Sequence, residues 1–259
     1  MGGRTAERPA FGVLLREWRQ RRHVSQLDLA ISADVSARHV SFLETGRSRP
    51  SREMVLRLAE RLDVPLRDRN PLLLAAGFAP SYPRRALDDP AMTPVRAAVD
   101  AILAGYEPYP ALVVDRGWNL VAANAGVAPL TAAAAASLRE PPVNVLRLSL
   151  HPDGLAPHIV NLAQWRGHVL GRLGREAAAA GDEGLAELLR ELTDYPGGIE
   201  PAGPDHAVAV PLRIRVDGRE LAFLSTVTTF GTALDITAAE LSIEAFLPAD
   251  PDTAAALRG

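Results

Sequence analysis

The residues from Ser25 to Arg47 constrain the fold more than any other part of the chain. They read Ser-Gln-Leu-Asp-Leu-Ala-Ile-Ser-Ala-Asp-Val-Ser-Ala-Arg-His-Val-Ser-Phe-Leu-Glu-Thr-Gly-Arg. Ser25 and Ser36 each stand where a hydroxyl group can cap the start of a helix. Asp34, between them, tolerates the left-handed backbone of a tight turn. The stretch therefore predicts two short helices joined by a turn.

The second predicted helix has two different sides. Val40, Phe42 and Leu43 supply apolar positions, whereas Arg38, His39 and Ser41 are free to point outward. The DNA major groove accepts a helix with an apolar back and a small polar front. We predict contacts to base edges or phosphates from Gln26, Ser36, Ala37, Arg38, His39, Ser41, Arg47 and Arg49. The alternative is a helical hairpin that has no role in DNA binding. In either case Glu44 is expected to form a structural ion pair and not to contact a base.

The same stretch resembles the lambda-repressor-like helix-turn-helix regulators of the xenobiotic-response-element family. The resemblance rests on Ser25-Gln26, Leu29-Ala30, Val35-Ser36, Val40-Ser41, Leu43-Glu44, Gly46-Arg47 and Pro50. One position departs from the pattern, because Asp34 stands where that family usually has glycine. The resemblance implies a double-stranded DNA partner, and we expect a homodimer on a two-fold operator.

Composition narrows the class of protein. The chain has 259 residues, enough for two modest domains, and it contains no cysteine, which removes disulfides, thiol nucleophiles and thiolate metal sites. Its mean hydropathy is close to zero and no apolar run approaches the roughly 18 residues of a membrane span. With no apolar signal-peptide core near the start, these features favour a cytoplasmic protein with no membrane partner.

Charge is distributed unevenly along the chain. Residues 1–85 hold 16 arginines against 9 carboxylates, a net charge of +7, whereas residues 86–259 hold 12 against 22, a net charge of −10. A basic first part and an acidic remainder fit nucleic acid at one end and a different partner at the other.

The periodicity of apolar residues predicts a multidomain chain. We expect an all-α helix-turn-helix domain over 1–79 with a loose arm at 1–9, a linker over 80–91, and an α+β domain over 92–259. In the second domain the patterns predict a helix from Thr93 to Gly105, a β-hairpin over 111–124, an alanine-rich helix over 125–139, helices over 157–174 and 184–192, strands over 206–216, 219–230 and 241–247, and a short last helix from Asp252. The sheet is expected to be covered on one face.

The second domain is similar to the MmyB-like transcription regulators. The similarity rests on Trp118-Asn-Leu-Val-Ala-Ala-Asn124, Asn144-Val-Leu-Arg147, His151-Pro152, Asn161-Leu-Ala-Gln-Trp-Arg166, Ser225-Thr226, Phe230-Gly-Thr232, Asp235 and Phe246-Leu-Pro-Ala-Asp250. It implies a PAS-like ligand-binding domain, which in this family is associated with fatty-acid-like molecules. The expected partner is thus a small apolar ligand such as a bound fatty acid, and no other cofactor is expected.

Candidate ligand-binding residues lie on the predicted helix over 157–174 and on the strands. Arg166 falls in the middle of an apolar helix face, where it needs either a carboxylate inside the protein or the carboxylate of an acyl ligand. The full candidate set is Trp118, Asn124, Trp165, Arg166, Phe223, Thr226, Thr228 and Phe230. Core packing explains the strand residues equally well, and Asn124 is expected to satisfy a strand end.

Catalytic signals are weak in this sequence. The only near pair of histidines, His151 and His158, matches no metal-ligand spacing, and no nucleophile elbow, phosphate loop or dinucleotide fingerprint occurs. The sequence therefore predicts a non-enzymatic DNA-binding transcription regulator whose second domain senses a small apolar ligand. The alternative is a regulator whose second domain is a ligand-free dimerisation module.

Overall fold

The computed structural model describes residues 10–200 and 209–258. The expected arm at 1–9 and the expected strand start at His206 lie outside these residues. The chain divides into two compact units: one runs up to Arg85 and includes the short segment Ala233–Ile236, and the other holds the remaining residues after Arg85. The expected arrangement, an all-α part followed by an α+β part, is confirmed.

The first unit is built from five helices. They are α1 Phe11–Arg21, α2 Gln26–Ser32, α3 Ala37–Glu44, α4 Arg52–Arg61 and α5 Leu66–Ala75. Each contributes apolar residues to one core that includes Leu15, Leu29, Val40, Leu58 and Leu73. Burial of that shared apolar surface holds together helices too short to be stable alone.

Local chemistry at the helix ends explains where α2, α3 and α4 begin. The side chains of Ser25, Ser36 and Ser51 each accept a hydrogen bond from the backbone N–H three residues on. Asp34, in the turn between α2 and α3, has a φ of 55°. Both the predicted caps and the predicted left-handed turn are confirmed.

The second unit combines helices with one sheet. Its helices are α6 Thr93–Tyr106, α7 Val127–Thr131, α8 Val145–Leu150, α9 Leu162–Ala180, α10 Glu183–Asp194, α11 Ile236–Ala239 and α12 Pro251–Arg258. Its strands are β1 Ala111–Val114, β2 Leu120–Ala123, β3 Leu212–Val216, β4 Arg219–Thr229 and β5 Ser242–Pro248.

The five described strands form one antiparallel sheet in the order β2-β1-β5-β4-β3. The predicted hairpin over 111–124 is confirmed as β1 and β2, and the Asp217-Gly218 turn joins β3 to β4 with positive φ at both residues. The register pairs Leu112 with Glu244 and Ser225 with Phe246, so these residues from three strands lie on one face.

Both faces of the sheet carry apolar clusters. One face packs on the side of α8, α9 and α10, with Ile214, Phe223 and Leu173 in its cluster. On the other face Val99 and Leu103 of α6 pack against Val113, Ile243 and Ala245. The expectation of a sheet covered on one face was therefore wrong, because the odd-numbered residues of β1 and β5 are as apolar as the even-numbered ones.

Two helix boundaries differ from the prediction. The long helix begins at Leu162 and runs to Ala180, rather than spanning 157–174, because Ile159 forms a bridge with Ile214 of β3 and Asn161 binds the backbone of Pro211 and Arg213. The stretch 125–139 contains only α7 and a helical turn at Ala136–Leu138.

Candidate nucleic-acid interface and ligand cavity

The outward side of α3 is open to solvent in its first turn. Ser36 and Arg38 are exposed, while Ala37, His39 and Ser41 are half-buried. The Ser36 side chain accepts a 3.1 Å hydrogen bond from the His39 backbone N–H, so the hydroxyl that caps α3 lies at the edge of this surface. Four of the five residues predicted to contact DNA from this helix, Ser36 to His39, thus lie in its cap and first turn, and Ser41 lies in the next turn.

The ring of Phe42 lies beneath two arginines of this surface. The guanidinium carbon of Arg38 is 5.1 Å from the ring centroid, and that of Arg47 is 5.9 Å from it. The Phe42 carbonyl also accepts a 2.9 Å hydrogen bond from the Arg47 backbone N–H, which fixes the loop after α3 against the helix. One half-buried aromatic ring therefore orients two cations, a role the sequence pattern did not reveal because Phe42 was counted among the core positions.

Glu44 holds the helices beneath this surface in place. Its side chain is fully buried and receives hydrogen bonds from Arg19, Arg16 and Gln26. Burial by itself raises the pKa of Glu44, but the hydrogen bonds from Arg19 and Gln26 outweigh it and lower the pKa below its usual value. The expected structural ion pair of Glu44 is confirmed.

Gln26 belongs to this buried network and also lies close to the surface. Its amide nitrogen donates a 2.8 Å hydrogen bond to Glu44, and its side chain is half-buried at the start of α2. An amide nitrogen has two N–H groups, so one of them is available to a phosphate oxygen. Arg49, the last predicted contact, is exposed in the loop after α3.

The second unit encloses an apolar cavity of about 220 Å³ between the sheet and the helices. Apolar side chains from β1, β2, β3, β5, α7, α8, α9 and the adjoining loops form most of its wall. They are Pro110, Leu112, Trp118, Leu120, Val127, Leu130, Val143, Val145, Leu146, Leu148, Leu155, Trp165, Val169, Leu212, Ile214 and Phe246. The polar wall residues are Thr131, Arg139, Ser149, His168, Arg172, Ser225 and Glu244. Such a lining suits a small ligand that is mainly hydrocarbon.

The two tryptophans of the wall are held by their indole nitrogens. Trp118 donates a 3.1 Å hydrogen bond to Glu176, and Trp165 donates one of 3.2 Å to Ser149. Both rings are buried, so each presents an apolar face while its N–H group is satisfied. The cavity is therefore bounded by fixed aromatic surfaces.

A charged cluster forms one part of the wall. Arg172 lies 2.8 Å from Glu176 and 2.8 Å from Glu244, and its guanidinium is 4.6 Å from the Trp118 ring centroid. Burial raises the pKa of the Glu244 carboxyl above its usual value, and the salt bridge to Arg172 offsets that effect only in part. This cation is already surrounded by two carboxylates and an aromatic ring.

Of the predicted ligand-binding residues, the cavity wall includes Trp118 and Trp165. Arg166 is not part of the wall. Its side chain is 1% exposed and donates to the backbone oxygens of Gly198 at 2.8 Å and Thr193 at 3.3 Å. The expected carboxylate partner inside the protein is not found among the described residues: the acceptors are the carbonyls of Thr193 in α10 and Gly198 in the loop after it. The Nη1 atom is buried without a hydrogen-bond partner there, and burial lowers the pKa of the guanidinium.

The strand residues divide by the alternation of β4. Ser225 faces the cavity, so Thr226, Thr228 and Phe230 lie on the opposite face, where Phe230 packs with the α6 cluster and both threonines are exposed. Phe223 shares the cavity's face but is fully buried behind the wall, edge-on to Phe246 at 6.5 Å between ring centroids. These four residues do not line the cavity.

Asn124 also lies outside the wall. Its side-chain oxygen accepts a hydrogen bond from the Ala111 N–H, and its nitrogen donates to the Tyr109 and Leu103 carbonyls. The expectation that it satisfies a strand end is confirmed. Most residues of the wall were not predicted from the sequence. This holds above all for the segment 139–149, which includes most of α8 and whose only sequence signal is a partial alternation of apolar residues.

Residues 10–200 and 209–258 contain neither a cluster of metal ligands nor a candidate membrane span. No three His, Asp or Glu side chains there come close enough together to hold a metal ion. Within the same residues, no helix combines the length and apolar character that a bilayer crossing requires.

Comparison with known families places the cavity in context. Residues 95–259 match the MmyB-like transcription regulator ligand binding domain, and residues 10–72 match a helix-turn-helix domain. The chain belongs to the MmyB-like transcription regulators. It is accordingly a DNA-binding regulator with a domain for a small-molecule ligand, as the sequence predicted.

Solved structures similar to this MmyB-like chain include two of the clp gene regulator ClgR from Corynebacterium glutamicum. One is 31% identical over 27% of this chain and 87% of its own, and the other is 25% identical over 39% and 94%; both have a TM-score of 0.24. A search of curated proteins returned no match.

Proposed function

We propose that this MmyB-like protein is a cytoplasmic, homodimeric regulator that binds a two-fold DNA site and holds a fatty-acid-like ligand in its second domain. The observation that carries the ligand proposal is the 220 Å³ cavity bounded by Trp118 and Trp165. A hydrocarbon tail gains free energy by leaving water for such a lining. The ligand regulates DNA binding only if its affinity differs between two states of the protein.

The exposed first turn of α3 supports the DNA proposal. Arg38 has the reach and donor geometry to bind guanine in the major groove, while Ser41 and Ala37 supply a hydroxyl and a methyl contact. Arg47, Arg49 and Gln26 are assigned to phosphates. Two copies bound to half-sites one helical turn apart give the operator two-fold symmetry.

A mobility-shift assay on the DNA upstream of its own gene tests the first assignment. Arg38→Ala is expected to lose specific binding, with discrimination falling by about 1–3 kcal/mol. Arg219→Ala removes the same charge from an exposed position on β4 and is expected to bind as the unaltered protein does. Equal loss in both variants would contradict a specific role for Arg38.

Native mass spectrometry of the gently purified protein, followed by denaturation and lipid extraction, tests the ligand. A co-purified acyl compound supports sensing, and a clean protein mass with stable dimers supports the ligand-free assembly module instead. Val145→Trp fills the cavity from a half-buried wall position and is expected to remove the compound. Val227→Trp, at an exposed position, is the matched control and is expected to retain it.

A further inference from the structure

Three described residues of the cavity wall carry a full charge, and only one of them is available to a ligand. Arg172 and Glu244 lie 2.8 Å apart, and Glu176, which also binds Arg172, adds a second carboxylate. The Nε, Nη1 and Nη2 atoms of Arg172 thus all face carboxylate oxygens of the protein, so this guanidinium is already engaged when an anion approaches it.

His168 does not supply a positive charge either. Burial, with a further contribution from the charges of Arg172 and Arg175, lowers its pKa below the usual value. The ring is stacked on Trp165 with 5.5 Å between centroids, so at neutral pH it contributes an uncharged surface to the wall.

Arg139 is different. It is exposed at the cavity, and its side chain makes no hydrogen bond, ion pair or ring contact with any residue in the described part of the chain. Its backbone is nevertheless fixed by two hydrogen bonds. The Arg139 N–H donates to the Ala136 carbonyl, and the Ala135 N–H donates a 2.8 Å hydrogen bond to the Asp153 carbonyl. A guanidinium held at the wall without a partner has all its donors free for a carboxylate, with which it forms paired hydrogen bonds.

We propose that Arg139 binds the carboxylate of a single-chain acyl anion whose tail lies in the cavity against Trp118 and Trp165. This inference rests on the proposed function and adds to it the residue that binds the head group of the ligand. A cavity of about 220 Å³ with a mainly apolar wall suits one acyl chain of medium length.

Isothermal titration of the delipidated full chain with decanoic acid and with decan-1-ol tests the proposal, because the two probes share a tail and differ in head charge. Arg139→Gln is expected to weaken decanoic acid binding by about tenfold or more and to change decanol binding by less than about twofold. Arg219→Gln makes the same charge change at an exposed position outside the cavity wall and is expected to affect neither.

Other results would overturn the assignment in distinguishable ways. If both probes bind the unaltered protein and Arg139→Gln changes neither affinity, the head group is bound elsewhere and the proposed function stands. If Glu244→Gln instead strengthens acid binding while Arg139→Gln has no effect, the carboxylate binds Arg172. Equal losses for both probes in Arg139→Gln would show that Arg139 supports the cavity and does not select the head group. If neither probe binds the unaltered protein, the proposed ligand class is itself overturned.

Discussion

Arg19 of α1 donates a 2.6 Å hydrogen bond to Glu44 at the end of α3, and the carboxylate that accepts it is fully buried. The contact fixes the proposed DNA-reading helix to the first helix of the unit. Gln26 adds a link from α2 to the same carboxylate. One acidic side chain thus joins three helices beneath a surface whose outward groups are mainly basic.

We expect Glu44→Gln to destabilise the first unit by about 3 kcal/mol, because Arg19 is left largely buried without an anion. Hydrogen exchange of peptides from α1 and α3 measures this without requiring the whole chain to unfold in one step. Glu60→Gln, at an exposed position of α4, is the control and should leave exchange unchanged.

The same carboxylate makes the unit sensitive to acid. Because the folded-state pKa of Glu44 lies below its unfolded value, its stabilisation is present above the unfolded pKa and is lost as the pH falls through the folded pKa. The free energy of opening of α1 and α3, obtained from exchange rates corrected for the pH-dependent intrinsic rate, should therefore fall towards low pH more in the unaltered protein than in Glu44→Gln. Parallel pH profiles for the two proteins would contradict this.

Phe42→Leu should weaken DNA binding with little loss of stability. The leucine preserves apolar contact but removes the ring beneath Arg38 and Arg47, and each cation–ring interaction is worth about 0.5–1 kcal/mol. Affinity measured by fluorescence anisotropy should fall about threefold to tenfold. In the Phe42→Leu background, Arg38→Ala should cost less than it does alone; fully additive losses would show that the ring does not orient Arg38.

Gly12→Ala should separate α1 from α3. A Cβ atom on Gly12 would lie 2.5 Å from the carbonyl oxygens of both Leu43 and Glu44, and backbone atoms have no room to move aside. We expect a loss of about 1–3 kcal/mol, read from the melting of the unit by circular dichroism. Gly105→Ala in α6 meets no atom within 4 Å and should be neutral or slightly stabilising.

Arg172→Met should destabilise the second unit by about 3–5 kcal/mol, because it leaves Glu244 buried without its cation. Replacing both residues, as Arg172→Met with Glu244→Met, should restore most of that stability. In the single variant the pKa of Glu244 rises further, so stability should return as the pH is lowered. Urea unfolding at several pH values measures each effect.

The helix-turn-helix unit was predictable because its signals are local. A serine before each helix, an aspartate in the turn and a short apolar period depend on neighbours within a few residues, and the caps at Ser25 and Ser36 form as expected. What the sequence did not reveal is the contact of Phe42 with two arginines, since the ring occupies a position that also fits a core residue.

The cavity was harder to predict because its wall is assembled from distant segments. Trp118 and Trp165 were identified, but Thr226, Thr228 and Phe230 were assigned without fixing which face of β4 each occupies. That choice depends on the register with β5, which local alternation does not supply. The protein partners of Arg166 could not be predicted for a related reason: they are backbone carbonyls, and these carry no residue-type signal.

The order of the strands has a consequence for biosynthesis. Of the described strands β5 is translated last, yet it lies between β1 and β4 in the middle of the sheet. Until residues 242–248 leave the ribosome, no described strand pairs the β1–β2 hairpin with the β3–β4 hairpin, and the cavity lacks Glu244 and Phe246. A nonsense codon ahead of residue 242 therefore leaves β1 and β4 without the strand that pairs with both, and the nascent chain acquires this pocket only after residues 242–248 have been translated.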